Sequence, residues 1–290
     1  MDGAALLVSL GVIFTVLVIW SLRRRNSAPD HVADAINKRL EAPPRRLEPT
    51  VSTPSPPEQR PEAGPPAANQ SMFAEDVVRA MPARVLFLDV ETTGLHSSDR
   101  IVTFGALKLE TANLLGPDFA LTPLHLVFDP TKKSHPQAER VHGWPDWTLR
   151  HQDLFADHAA AILQMIESAD LLVAHNASFD MRFIQQEMER AGLAMPDKPV
   201  QCTMQGWRAR GLSRASLSAV CAHLGLSRAG DTHGALEDAG LAMEAWLSLH
   251  VPNLRFTAVA YPPPFNFREP PPLPDGPLPR RSPRKARPAT

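Results

Sequence analysis

The sequence is short of the residues that staple small folds together. Its 290 residues include two cysteines, Cys202 and Cys221, both set among apolar neighbours. That number excludes a disulfide framework and a cysteine-rich zinc site, and both read as reduced core thiols. Positive charge is not in excess either. The formal net charge is −1, and residues 72–261 carry 16 Lys and Arg against 22 Asp and Glu, a net of −6. Such a domain binds nucleic acid poorly by itself, because its carboxylates repel phosphate until cations neutralise them. No internal repeat is visible.

Charge is wholly missing from residues 3–22, a Leu-, Val- and Ile-rich run closed by Trp20 and followed by Arg23, Arg24 and Arg25. At about 1.5 Å per residue a helix there would span about 30 Å, the thickness of a bilayer core. A cleaved signal peptide would need a basic stretch before the apolar run, and the early charge is Asp2. The arginines predict a single-pass inner or plasma membrane anchor (1–25) with the following chain in the cytoplasm. Proline is scarce only in the middle. Of 30 prolines, ten fall from Pro29 to Pro66 and eleven from Pro262 to Pro288. Residues 26–71 thus read as a Pro-rich disordered linker that holds the domain off the membrane, and 262–290 as a disordered tail of net charge +4. One globular domain remains, 72–261.

Within it, a short helix is expected near Ala74–Ala80, followed by strands at Arg84–Val90, Ile101–Leu109 and Leu121–Phe128, separated by short turns. The period then changes. Helices are expected at Phe155–Ile166 and Phe179–Ala191, with a buried strand at Leu171–Ala174 between them. An extended piece at Val200–Met204 precedes helices at Leu217–Leu224 and Ala235–Leu249. Strands first, then strand–helix alternation, predicts a mixed β-sheet covered by helices: an α/β fold.

Three stretches carry chemistry. In Phe87-Leu88-Asp89-Val90-Glu91-Thr92-Thr93-Gly94-Leu95, strand alternation turns Asp89 and Glu91 to the same face, just where the chain turns. Two acids at a strand end suit hard cations. In His175-Asn176-Ala177-Ser178-Phe179-Asp180, the acid falls in the first turn of a helix, next to the positive end of its dipole. In Asp231-Thr232-His233-Gly234-Ala235-Leu236-Glu237-Asp238, a helix starting near Ala235 leaves His233 on the preceding loop. Asp238 then faces the core side, which is costly unless it is paired or bound to metal.

Together these stretches resemble the DnaQ-like 3′–5′ exonucleases of the DEDD type, over about Arg84 to Leu249. The sister branch has a tyrosine where Gly234 stands, and the chain's one tyrosine is Tyr261, so the histidine branch (DEDDh) is the resemblance. It implies an RNase H-like mixed sheet flanked by helices. It also implies two divalent cations, Mg²⁺ or Mn²⁺, ligated by Asp89, Glu91, Asp180 and Asp238. His233 is implied as the base that takes a proton from the attacking water, work suited to imidazole near neutral pH. Two such ions would bring +4 to an acidic cleft. Thr92, Thr93, Leu95, His142 and Phe179 are implied as contacts to the terminal nucleotide. Trp144 and Trp147 either stack on bases or plug the core, and His175 and Asn176 tie strand end to helix.

The function expected is a membrane-tethered, metal-dependent 3′–5′ exonuclease acting on single-stranded DNA ends and releasing nucleoside monophosphates, as the proofreading ε subunit of DNA polymerase III does. A polymerase partner would fit that likeness, but no polymerase- or clamp-binding motif is found. Two alternatives remain: an exoribonuclease resembling RNase T or oligoribonuclease, and a non-catalytic tethered scaffold.

Overall fold

Alternation along one central strand sorts the whole domain. In the computed structural model, which describes residues 75–115, 121–228, 230, 232–251, 254 and 261–281, β1 (Arg84–Thr92) pairs antiparallel with β2 (Ile101–Glu110), and β2 with β3 (Leu121–Val127). Two short helices, α1 (Pro136–His142) and α2 (Asp146–Leu149), precede α3 (Ala159–Glu167). Then β4 (Leu171–Ala174) lies parallel to β1, and α4 (Ala177–Arg190) leads to β5 (Val200–Cys202), parallel to β4. The chain continues through α5 (Thr203–Ala209), α6 (Leu217–Leu224) and α7 (Ala235–His250). The sheet order is β3-β2-β1-β4-β5.

On β1, Leu86, Leu88 and Val90 enter a core with Ile162 and Ile166 of α3 and Phe183 and Ile184 of α4. Val85 and Phe87 enter a second core on the opposite face, with Leu236, Met243, Trp246 and Leu247 of α7. Phe87 meets Trp246 edge-on at 5.5 Å between ring centres. The same alternation continues to Asp89 and Glu91, so both acids emerge on the α7 side. Gly105 stands opposite Asp89 in the β1–β2 register. A methyl group there would lie 2.1 Å from the Leu236 nitrogen, so the absent side chain is what lets the first turn of α7 rest on the sheet.

Most expected elements are present within a residue or two. The helix expected over Phe155–Ile166 is divided. Residues Phe155–Asp157 form a 3₁₀ turn in which the Asp157 carboxylate accepts from the Leu154 N–H, and His158 leaves helical geometry before α3 begins. The extended stretch expected to Met204 ends at Cys202, where α5 starts. Cys202 and Cys221 are free thiols. The expected anchor (1–25) and linker (26–71) lie outside the described residues. Among the described residues no helix is long and apolar enough to cross a membrane.

Residues 262–281 do not follow the expectation of a disordered tail. They run along the edge strand β3 and over α2. The Phe265 N–H donates to the His125 carbonyl, and the Asn266 amide both accepts from the Val127 N–H (2.9 Å) and donates to its carbonyl (2.7 Å), capping the sheet edge as a strand would. Phe267 packs on Trp144, and the Trp147 indole donates to the Pro271 carbonyl. Arg268 bonds Asp153, while Arg281 bridges Asp129 and Asp146. A composition argument counts apolar area and misses this, because charge pairs and side-chain amides hold the segment. Proline also has little backbone freedom to lose on ordering.

Two outcomes are expected. Gly105→Ala should lower stability by about 3 kcal/mol, the upper part of the overpacking range, since the added methyl meets helix backbone; an unchanged urea midpoint would contradict the close approach of α7. Arg281→Ala should cost about 1–3 kcal/mol, because it strips a guanidinium from two buried acids, and chemical denaturation of the full chain would show it.

Candidate active site

Three elements deliver carboxylates to one end of β1. Asp89 and Glu91 arrive by strand alternation. Asp180 comes from the first turn of α4, which begins after Asn176 takes a left-handed turn (φ 65°) at the end of β4. It is 2 % exposed, and its Oδ1 accepts the Val90 N–H at 3.1 Å, so the peptide between the two β1 acids holds the third. Asp238 lies in the first turn of α7, brought to the sheet by Gly105, and is also buried. His233 precedes that helix, as expected. Its backbone N–H donates to the Val141 carbonyl (2.8 Å), and its side chain is 39 % exposed. The ring Nδ1 lies 3.4 Å from Asp238 Oδ2, and Glu91, His233 and Asp238 each place one ligand atom within 4.8 Å of the others.

Crowding shows in the acids' affinity for protons. Burial and the repulsion of Asp238 and Asp180 push Glu91 up to about 8. Asp89 is pushed well up by burial, then by Asp180, Asp238 and Glu91, and Asp180 is raised chiefly by burial. One cation already answers this charge. Arg228 closes its fork on Asp238, Nε to Oδ1 at 2.7 Å and Nη2 to Oδ2 at 2.9 Å. Sequence reasoning misses this residue, since nothing distinguishes one arginine in a loop ten positions before the acid.

Of the four acids Glu91 opens onto a cleft of about 610 Å³, lined also by Thr92, Leu95, Lys133, Val141 and Phe179. Leu95 is 74 % exposed at its rim. The turn carrying it is closed by Asp99, which accepts from the Thr93 hydroxyl (3.0 Å), the His96 N–H (2.9 Å) and Lys132 Nζ (2.6 Å). A side chain on Gly94 would strike that carboxylate.

Of the expected nucleotide contacts, Thr92, Leu95 and Phe179 line this cleft. Thr93 does not: it is fully buried, with its hydroxyl spent on Asp99. His142 is a second correction. It is buried, its Nδ1 accepts the Trp144 N–H (3.0 Å), and its Nε2 faces Ser134 Oγ (3.3 Å). Burial pushes its pKa down to about 4, so it is a neutral clasp of the loop after α1. Trp144 and Trp147 face the 262–281 segment. His175 is structural: Nε2 donates to the Ala215 carbonyl (2.9 Å), and Nδ1 accepts from the Thr203 hydroxyl (2.8 Å).

The residues present fit divalent cations. The donors are oxygens on carboxylates that repel one another in a buried place, the set hard ions take. Across the sheet from Glu91, the fully buried Thr103 hydroxyl has no hydrogen-bond partner.

A mixed five-stranded sheet whose central strand presents acids to two flanking helices is the architecture of a DnaQ-like nuclease. Comparison with known proteins agrees: a family profile described as Exonuclease (RNase T) matches residues 86–246. The ε subunit of DNA polymerase III from Pasteurella multocida is 30 % identical over 182 residues, covering 58 % of this chain and 68 % of that one. The Escherichia coli K12 ε subunit is 30 % identical over 178 residues, covering 57 % and 71 %. The zinc-bound form of E. coli exonuclease I complexed with single-stranded DNA shares the fold at a TM-score of 0.50 and 19 % identity, over 59 % of this chain and 41 % of that one. The match thus spans about two-fifths of exonuclease I. The chain belongs to the RNase T exonuclease family, the DnaQ-like 3′–5′ exonucleases.

The raised carboxyls set a pH dependence. Their folded pKa values exceed the unfolded ones, so the folded chain holds more protons and its stability falls as pH rises. For Glu91 that window runs from its ordinary 4.5 to about 8. Chelator-treated protein should therefore unfold at less urea at about pH 8 than at about pH 5.5, and Asp89→Asn should flatten the difference. A midpoint that rises over this range would contradict the assignment.

Proposed function

We propose that the chain hydrolyses single-stranded DNA from its 3′ end and releases nucleoside monophosphates. The observation that carries this is the convergence of Asp89, Glu91, Asp180 and Asp238, with a partly exposed histidine, at one end of β1, beside a cleft that Glu91 lines. Divalent ions held by the four carboxylates would supply Lewis-acid stabilisation of charge at phosphorus and orient the attacking water. His233 stands at the solvent side of Asp238, where its ring nitrogen can accept the proton that water loses. Leu95 and Phe179 give apolar walls against which a terminal base can lie, and Thr92 lines the same cleft, where it would meet the sugar. Lys133 on the same cleft offsets part of the domain's negative charge where a phosphate chain would enter. The ε relatives favour DNA as the substrate and bring a polymerase to mind as a partner. The apolar run 3–22 supports attachment to the cytoplasmic face of a membrane, which favours degradation or repair near the envelope over proofreading at a fork.

The test gives metal-freed protein 5′-labelled DNA and RNA of one sequence, with Mg²⁺, Mn²⁺ or chelator. Shortening from the 3′ end that requires metal is expected, faster on DNA. Asp89→Ala should abolish it, and His233→Ala should reduce kcat by about 10²–10⁴-fold. Faster loss of RNA would make the chain an exoribonuclease. No shortening of either strand would leave the scaffold reading.

A further inference from the structure

Arg228 lies between α6 and α7, outside the three acidic stretches. Its guanidinium takes both oxygens of Asp238, and its remaining nitrogen, Nη1, donates to Ser218 Oγ on α6 at 3.0 Å. The side chain is largely enclosed, and Asp238 in turn raises its pKa further. Asp89 and Glu91 also feel this positive charge, which opposes the upward push on their carboxyls. Arg228 is therefore tied by three hydrogen bonds into the place where the acids are densest.

We propose that Arg228 is a built-in counter-cation that competes with the divalent ion for Asp238. In the metal-free chain it neutralises the carboxylate and holds it in position. An ion approaching Asp238 meets a positive charge a few Å away in a poorly hydrated place, and the planar fork already spans both oxygens. Full ligation by Asp238 requires the guanidinium to leave, which breaks the Ser218 bond as well. The site thus trades some metal affinity for a carboxylate that stays ordered without metal. The inference rests on the metal reading of this centre.

The test measures Mn²⁺ binding to the metal-freed full chain by calorimetry, without nucleic acid, so it does not depend on exonuclease activity. Arg228→Met should bind Mn²⁺ about tenfold more tightly than the unaltered chain, within the usual range of coupling between two ligands of one site. Its metal-free form should melt lower, and Mn²⁺ should raise its melting temperature more. Ser218→Ala, which removes only the anchor of the guanidinium, should tighten binding about twofold, the low end of what one hydrogen bond contributes. It keeps the question decidable should Arg228→Met fail to fold. Mn²⁺ binding that is unchanged or weaker in the folded variants overturns the inference alone. No Mn²⁺ binding by any of the chains overturns it together with the metal reading.

Discussion

Mutual repulsion among acids at the end of β1 is the constraint on which the rest of the domain depends. Asp89, Glu91, Asp180 and Asp238 come from three elements into one place, where burial and neighbouring charge penalise ionisation of the first three. Left alone, such a cluster would push its elements apart or hold protons. Backbone and packing prevent the first. The Val90 N–H holds Asp180, and two apolar cores clamp α4 and α7 to opposite faces of the sheet. The charge that remains is met in part by Arg228, whose fork closes on the Asp238 carboxylate. A cation bound there would relieve the tension further, so the repulsion that strains the fold also makes the place fit for metal.

Charge is handled differently at the far side of the sheet. Asp129, Asp146 and Asp153 are also buried acids, yet each has an arginine within reach, in part from residues 262–281. The basic tail and the acidic domain, opposite in net charge, are thus partly one electrostatic unit. Pairing there gives no centre open to a substrate.

What could be read from the sequence follows the range of the forces. Asp89 and Glu91 were legible because alternation is local, and Ala235 as a helix start because Gly234 breaks the pattern just before it. The same locality made α1 readable in principle, since Pro136 begins it and Gly143 ends it in a left-handed turn, although the apolar period there is weak. Thr93 and His142 were misplaced because a motif tells which residue is present, not which way it turns. Asp99 draws Thr93 inward, and Ser134 and Trp144 enclose His142. Arg228 and the 262–281 segment depend on contacts between distant parts of the chain, on which composition and period are silent.

Gly105 has a consequence for when the molecule becomes an enzyme. Asp89 and Asp238 stand near opposite ends of the folded sequence, and the second reaches the first only when the last helix settles over that glycine. Contacts so distant along the chain form late, because the intervening loop must close before they stabilise anything. A chain still leaving the ribosome can have its strands and three of the acids in place but lacks the fourth carboxylate and the histidine. The acidic centre is therefore the last part of the domain to be completed, and nothing short of the whole fold assembles it.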